Sequence, residues 1–177
     1  KEIELISKSK NTQPPNTLKQ LISIMKAHEN IVFNIEIKSL KINNIKSLKI
    51  ILEKIPNKIL KEQCIISSFN YCLLFQLNFF SKAHNTALIL GSKRNGGAIK
   101  MFINKIFIKL LRPNFIHPNA IYLCKAFIRW AHNNNMSVNA YTINKPQELE
   151  HCIKLGVDGI FTDNHLLYNK SSTQQLF

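Results

Sequence analysis

Apolar and polar positions alternate along Ile31-Val-Phe-Asn-Ile-Glu-Ile-Lys-Ser39, so that Phe33, Ile35 and Ile37 share one face of an extended segment and Asn34, Glu36 and Lys38 the other. Helical patterns flank this segment and further apolar strands follow, which predicts a parallel strand buried on both faces. A carboxylate and an ammonium in such a strand must pair, bind a ligand or sit at its open end. Glu36 and Lys38, two residues apart, point the same way near the carboxyl end, where barrels and open α/β sheets place their chemistry.

The rest of the chain repeats the theme. Residues 1–16 are polar and close on Pro14-Pro15, which predicts a loop. Thr17 is the expected cap of a helix striped by Leu18, Leu21, Ile22 and Met25 and ending near His28. A second helical pattern, 40–55, stops at Pro56-Asn57, and a short apolar strand, 64–68, follows. Residues 69–80 read as a helix and 86–90 as a strand that ends at Gly91. Residues 98–111 form an amphipathic pattern, Phe102, Ile103, Ile106, Phe107 and Leu110 opposite Lys100, Lys105 and Lys109; it fits a helix packed on a sheet or one lying on a membrane surface. Residues 115–117 read as a strand, 120–133 as a helix, 136–143 as a strand, 146–155 as a helix and 159–162 as a last strand. Strand and helix alternate, so the fold class is α/β, with a parallel sheet and right-handed crossovers. About six strands are present, whereas a closed (β/α)₈ barrel of the TIM type needs eight and typically about 250 residues; two strands are missing or the sheet is open.

Composition changes this picture little. The 177 residues are 45% hydrophobic, as expected of one globular domain spanning 1–177, with a polar lead-in at 1–16 and a tail at 168–177. The formal charge of +14 comes from Lys residues scattered among Asn and Ile, all three encoded by A- and T-rich codons, and no recognition motif accompanies it; no nucleic-acid partner is expected. The excess would help attract an anionic substrate. Cys64, Cys72, Cys124 and Cys152 lack metal-site spacing and are expected to be buried, reduced thiols. The longest apolar stretch, 69–80, is broken by Asn70, Gln76 and Asn78 and is shorter than the about 20 residues a membrane span needs, so no stable membrane insertion is expected. No signal peptide opens the chain, which favours the cytoplasm, although its first residue is Lys rather than Met. The loop 91–97, with Lys93, Arg94 and paired glycines, fits either a phosphate cradle or a flexible connection; P-loop spacing is absent.

The most specific signal lies in Val138-Asn-Ala-Tyr-Thr-Ile-Asn144 and Gly156-Val-Asp-Gly-Ile-Phe-Thr-Asp163. Gly156 ends a helix, Asp158-Gly159 turns into a strand, and Thr162-Asp163 stands at that strand's carboxyl end. This pair of motifs resembles the last two strands of the glycerophosphodiester phosphodiesterase family, a TIM barrel, with Tyr141 in place of the usual Trp and Asn164 in place of the usual Pro. Asn34-Ile-Glu-Ile-Lys38 is similar to the family's third-strand motif, and Ile65-Ile-Ser-Ser-Phe-Asn70 to its fourth. Four motifs in order, from about Pro15 to Leu167, make the resemblance strong.

The resemblance implies hydrolysis of a glycerophosphodiester to glycerol 3-phosphate and an alcohol, assisted by a divalent cation, Ca²⁺ or Mg²⁺. Glu36 is then a metal ligand, Lys38 lies beside the phosphate, and Ser68, Tyr141, Thr142, Asn144 and Asp163 line the substrate site. The family's His-Arg, Glu-x-Asp and His-Asp motifs, which carry both catalytic histidines and two metal carboxylates, have no counterpart here. The chain therefore reads as the carboxyl-terminal three-quarters of a barrel, inactive alone and in need of the missing amino-terminal segment of the same protein. Without the resemblance, Glu36 and Lys38 would read as an ion pair at the rim and Tyr141 as a wall residue. Of the histidines, His28, His132 and His151 fall in or beside helices and His84 and His165 in loops; His117, after a short strand, is the one placed to face the site. A second function class stays open: a degenerate barrel that binds a phosphate ester, or serves as an interaction module, without turnover.

Overall fold

The computed structural model describes residues 17–38, 48, 52–80, 84–91 and 107–167. Residues 1–16, most of 40–55, the glycine loop beyond Gly91 and most of 98–111 lie outside the described residues, as does the tail from 168. In order, the elements are α1 (Leu18–Ala27), β1 (Phe33–Glu36), α2 (Asn57–Glu62), β2 (Cys64–Ser68), α3 (Tyr71–Phe80), β3 (Asn85–Leu90), β4 (Phe115–Pro118), a 3₁₀ turn (Ala120–Tyr122), α4 (Lys125–His132), β5 (Ser137–Ala140), α5 (Pro146–Leu155) and β6 (Gly159–Ile160).

Local chemistry sets the boundaries. Thr17 caps α1 through a capping box, its hydroxyl accepting from the Gln20 backbone N–H while the Gln20 side chain accepts from the Thr17 N–H at 2.7 Å. Pro146 opens α5 at a position where no N–H is needed, and Glu148 Oε2 accepts from the N–H groups of Asn144 and Lys145. Gly156 closes α5 at φ 80°, and Val157 N–H then bonds back to Cys152 O at 3.1 Å. The expected helix over 120–133 is instead two pieces, because Cys124 is extended (φ −151°, ψ 155°) between the 3₁₀ turn and α4. The strand expected over 136–143 is regular only at Ser137–Ala140; beyond it the chain keeps a bridge from Tyr141 to Asn119 and a bond from Ile143 N–H to Phe161 O.

All six strands pair in parallel in sequence order and curl into a half barrel with helices between them, an incomplete TIM-type α/β barrel. The register fixes the faces. Cys64, Ile66, Leu88, Ile116, Val138 and Ala140 point outward into a core shared with Leu73, Leu74 and Leu77 of α3 and Phe127, Ile128 and Ala131 of α4. Each such buried Leu, Ile or Phe contributes about 1.5–3 kcal/mol. β1 departs from the expectation of burial on both faces: Phe33, Ile35 and Ile37 are half-buried, and Asn34, Glu36 and Lys38 are exposed. Among the described residues β1 pairs with β2 alone, so its inner face lacks a neighbour on one side.

The cysteines divide. Cys64 and Cys152 are buried, and burial pushes both thiols up; Cys72 and Cys124 are exposed, contrary to expectation, and all four are free. No described helix is long and apolar enough to cross a membrane.

Candidate active site

Parallel strands bring their carboxyl ends to one rim, and the inward side chains follow from the register. Glu36, last residue of β1, is level with Ser67 of β2 and shares its inward face. Ser67 is fully buried and its hydroxyl has no hydrogen-bond partner among the described residues. Ser68, expected to line the site, has the opposite parity: its Oγ donates to Ile37 O at 2.8 Å and accepts from Asn70 N–H at 3.1 Å, fastening the end of β1 and the start of α3. Ser67 is therefore the serine beside Glu36, and the two adjacent serines can be told apart only by register. Lys38 stands exposed two residues past Glu36.

Tyr141 follows β5, and its hydroxyl donates to Leu90 O at 2.9 Å. Burial pushes its pKa up, and the charge of Glu36 and then the neighbouring Tyr122 phenol push it further. Phe69 and Gly91 complete this wall. A Cβ on Gly91 would come within 2.5 Å of Phe69 Cε1 and 3.1 Å of the Tyr141 hydroxyl, so any side chain there would have to push the Phe69 ring aside. The resemblance placed the Ser67-Ser68-Phe69 segment at the site but took Ser68 as its serine, and sequence reading did not place Gly91 or Tyr122 beside Tyr141; these depend on strand register and packing.

Asn144 and Asp163 form a second cluster on the rim. Asn144 Oδ1 accepts from Asp163 N–H at 2.9 Å and from Thr162 Oγ1 at 3.2 Å, while its Nδ2 donates to Asp163 Oδ2 at 3.2 Å. Asn164 Nδ2 adds a bond to Asn144 O at 3.2 Å, which gives the residue in the usual proline position a local role. These bonds sew the loop after β5 to the loop after β6, and the side chains that make them are exposed or half-buried. Thr142 is exposed beside them.

His117 points into the half barrel from β4, 1% exposed. Its Nε2 lies 3.5 Å from Asn139 Nδ2, and its ring meets Phe161 edge-on at 4.8 Å. Burial lowers its pKa to about 4, so it is neutral near pH 7 and sits as a packed interior residue. As for a metal, no group of three His, Cys, Asp or Glu side chains converges among the described residues. Glu36 offers one oxygen-bearing side chain; these residues alone do not make up the donor set of a hard cation.

The opposite end of the sheet is built differently. Asp158 Oδ2 accepts from Val138 N–H at 2.7 Å and from His132 Nε2 at 2.8 Å, and Asp158 N–H donates to Val138 O at 2.9 Å. Gly159 then lies so close to Asn139 that a Cβ would sit 2.7 Å from its Oδ1. The Gly-Val-Asp-Gly part of the motif thus locks β6 to β5 at the amino end.

The glycerophosphoryl diester phosphodiesterase family model matches residues 5–167, and the chain belongs to that family. Among solved structures, the fold is similar to a glycerophosphodiester phosphodiesterase from Parabacteroides distasonis (TM-score 0.74, 19% identity, 94% of this chain and 68% of that one). It is similar also to a glycerophosphoryl diester phosphodiesterase assigned in Silicibacter pomeroyi (TM-score 0.69, 15% identity, 89% and 57%). A phosphodiesterase from Oleispira antarctica, solved with the product sn-glycerol-3-phosphate, gives a TM-score of 0.67 at 17% identity over 90% and 61%. The chain spans 57% and 63% of the length of two such relatives, those of Silicibacter pomeroyi and Galdieria sulphuraria. Among curated protein sequences nothing matches it.

Proposed function

We propose that the protein hydrolyses glycerophosphodiesters to glycerol 3-phosphate and an alcohol, and that this chain supplies part of the site while being inactive alone. The observation that carries the reading is Glu36: an exposed carboxylate at the carboxyl end of a barrel strand, level with the inward Ser67 hydroxyl, in a chain that matches the family over 5–167. Product bound in the Oleispira antarctica phosphodiesterase supports the substrate class. Lys38 would attract the phosphate. Tyr141, kept protonated by burial and by Glu36, would donate a hydrogen bond at the mouth, and Asn144, Thr142 and Asp163 would shape the opposite rim. A divalent cation enters the proposal through Glu36 as one ligand, its remaining ligands coming from outside the described residues.

His117 is no substitute for the acid and base. It is neutral, buried and packed against Phe161. General acid and base groups each supply about 10² to 10⁴ in rate, so a chain without them should show no turnover above background. The test measures glycerol 3-phosphate release, with and without chelator, by residues 1–177 and by a protein in which they are joined to an amino-terminal segment carrying the family's His-Arg, Glu-x-Asp and His-Asp motifs. Chelator-sensitive hydrolysis by the joined protein alone is expected; robust hydrolysis by 1–177, or none by the joined protein, overturns the reading.

A further inference from the structure

The helices that cover the half barrel are not coated alike. α4 and α5 turn Lys125, Arg129, Glu150 and Lys154 to solvent. α3 contains no charged residue; it buries Leu73, Leu74 and Leu77 on the sheet and turns Phe75 and Phe79 outward, 54% and 76% exposed. The helical turn at 107–111 lies alongside it. Tyr71 meets Phe107 edge-on at 6.4 Å, and Asn78 Nδ2 donates to Leu111 O at 2.9 Å. This turn exposes Phe107 and Leu110, 54% and 67%, with exposed Lys109 between them and exposed Arg112 just beyond. Four large apolar side chains therefore form one outward patch with cations at its edge, the usual mark of an interaction surface.

Charge identifies what the patch fits. Lys109 and Arg112 are the cations described at the patch, and no Asp or Glu opposes them there, because α3 and residues 107–112 contain none. We propose that the face formed by α3 and residues 107–111 docks the protein peripherally on an anionic lipid membrane. Phe75, Phe79, Phe107 and Leu110 enter the boundary between headgroups and acyl chains, and Lys109 and Arg112 pair with acidic headgroups. A nucleic acid would use the cations but leave four apolar side chains without a role. A second copy of this chain would set like charges against each other.

Flotation of the purified protein with vesicles tests this independently of turnover. Binding is expected to vesicles of phosphatidylcholine with about one third phosphatidylserine, weak binding to phosphatidylcholine alone, and loss as salt rises from about 0.1 to about 0.5 M. Phe75→Ser with Phe79→Ser should weaken it about tenfold or more, and Lys109→Glu about tenfold, with circular dichroism unchanged. Equal binding to both vesicles, or indifference to these substitutions, overturns the proposal. So does a loss of self-association, in place of vesicle binding, in the Phe pair, or tighter binding to an oligonucleotide that ignores Phe75 and Phe79.

Discussion

Asp158 and Asp163 stand five residues apart in one motif and do opposite work. Asp158, at the amino end of β6, is consumed by structure: one carboxylate oxygen takes the Val138 N–H and the His132 ring. Asp163, at the carboxyl end, is exposed and held by Asn144, in a loop cluster that opens to the rim. At the amino end of β6 Asp158 ties that strand to β5, whereas at the carboxyl end of β1 Glu36 is exposed beside Ser67, whose hydroxyl has no partner among the described residues. A buried hydroxyl without a partner costs about 1–3 kcal/mol, and Gln63 Oε1 and both His84 ring nitrogens, just before β2 and β3, are likewise without partners among the described residues.

The sharpest way to break the comparison is to neutralise one carboxylate at each end. In the joined protein, if it turns over as proposed, Glu36→Gln should lower kcat/KM by more than about 10²-fold while leaving the melting temperature unchanged. Asp158→Asn should do the reverse, reducing thermal stability and leaving kcat/KM within about threefold. If Asp158→Asn instead abolished turnover in a protein still folded, the division of labour between the two ends would be wrong.

Between the two ends, His117 reports on the interior by pH. Its folded pKa, about 4, lies below the unfolded value of 6.5, so the unfolded state binds the proton first as pH falls. Stability is therefore full above about pH 6.5 and declines as pH drops toward 4, by about 3 kcal/mol in all. Urea unfolding at pH 7 and pH 4.5 should show most of this loss, and His117→Phe should remove it. An equal loss in the variant would assign the acid sensitivity to other groups.

A smaller effect tests the clamp itself. Asp158→Ala removes the acceptor of a part-buried, charge-assisted bond from the Val138 N–H, and should cost about 1.5–3 kcal/mol. His132→Ala should cost less, because its pair with Asp158 is about two-fifths exposed on each side. Equal costs would mean that the ion pair, not the backbone bond, makes the lock.

What the sequence disclosed follows the same division. Strand and helix periodicity is local, so six strands, the Thr17 cap and the Pro146 start were legible, and the family motifs named the rim carrying Glu36, Tyr141 and Asp163. Pairing is not local. Whether Ser67 or Ser68 faces inward depends on a register with β1 and β3 that no window of sequence contains, and the half-exposure of β1 goes with its having, among the described residues, β2 as its one paired neighbour. The extended Cys124 that divides 120–133 interrupts a helical pattern whose apolar spacing runs on. Asp158 looked like a turn residue, and its grip on Val138 appears only once β5 and β6 are side by side.

Tyr141 lies at the border of the two regimes, and Tyr141→Phe should have the smallest effect. The substitution deletes the bond to Leu90 O, but that carbonyl still accepts from Asn119 N–H at 3.0 Å, so no acceptor is stranded and the cost should be at the low end, about 0.5 kcal/mol. Its pH signature has a definite sign. The folded phenol titrates above its ordinary value of 10.0, because burial first and then Glu36 disfavour the phenolate, so above about pH 10 the unfolded state releases the proton first and stability falls. Tyr141→Phe should flatten that alkaline decline. In the joined protein kcat/KM should fall about threefold if Tyr141 is only a wall against Phe69 and Gly91, and tenfold or more if its hydroxyl also reaches the substrate. A double-mutant cycle with Glu36→Gln separates these. Coupling in stability with additivity in kcat/KM makes Tyr141 part of the frame, whereas coupling in kcat/KM brings it into the site with Glu36.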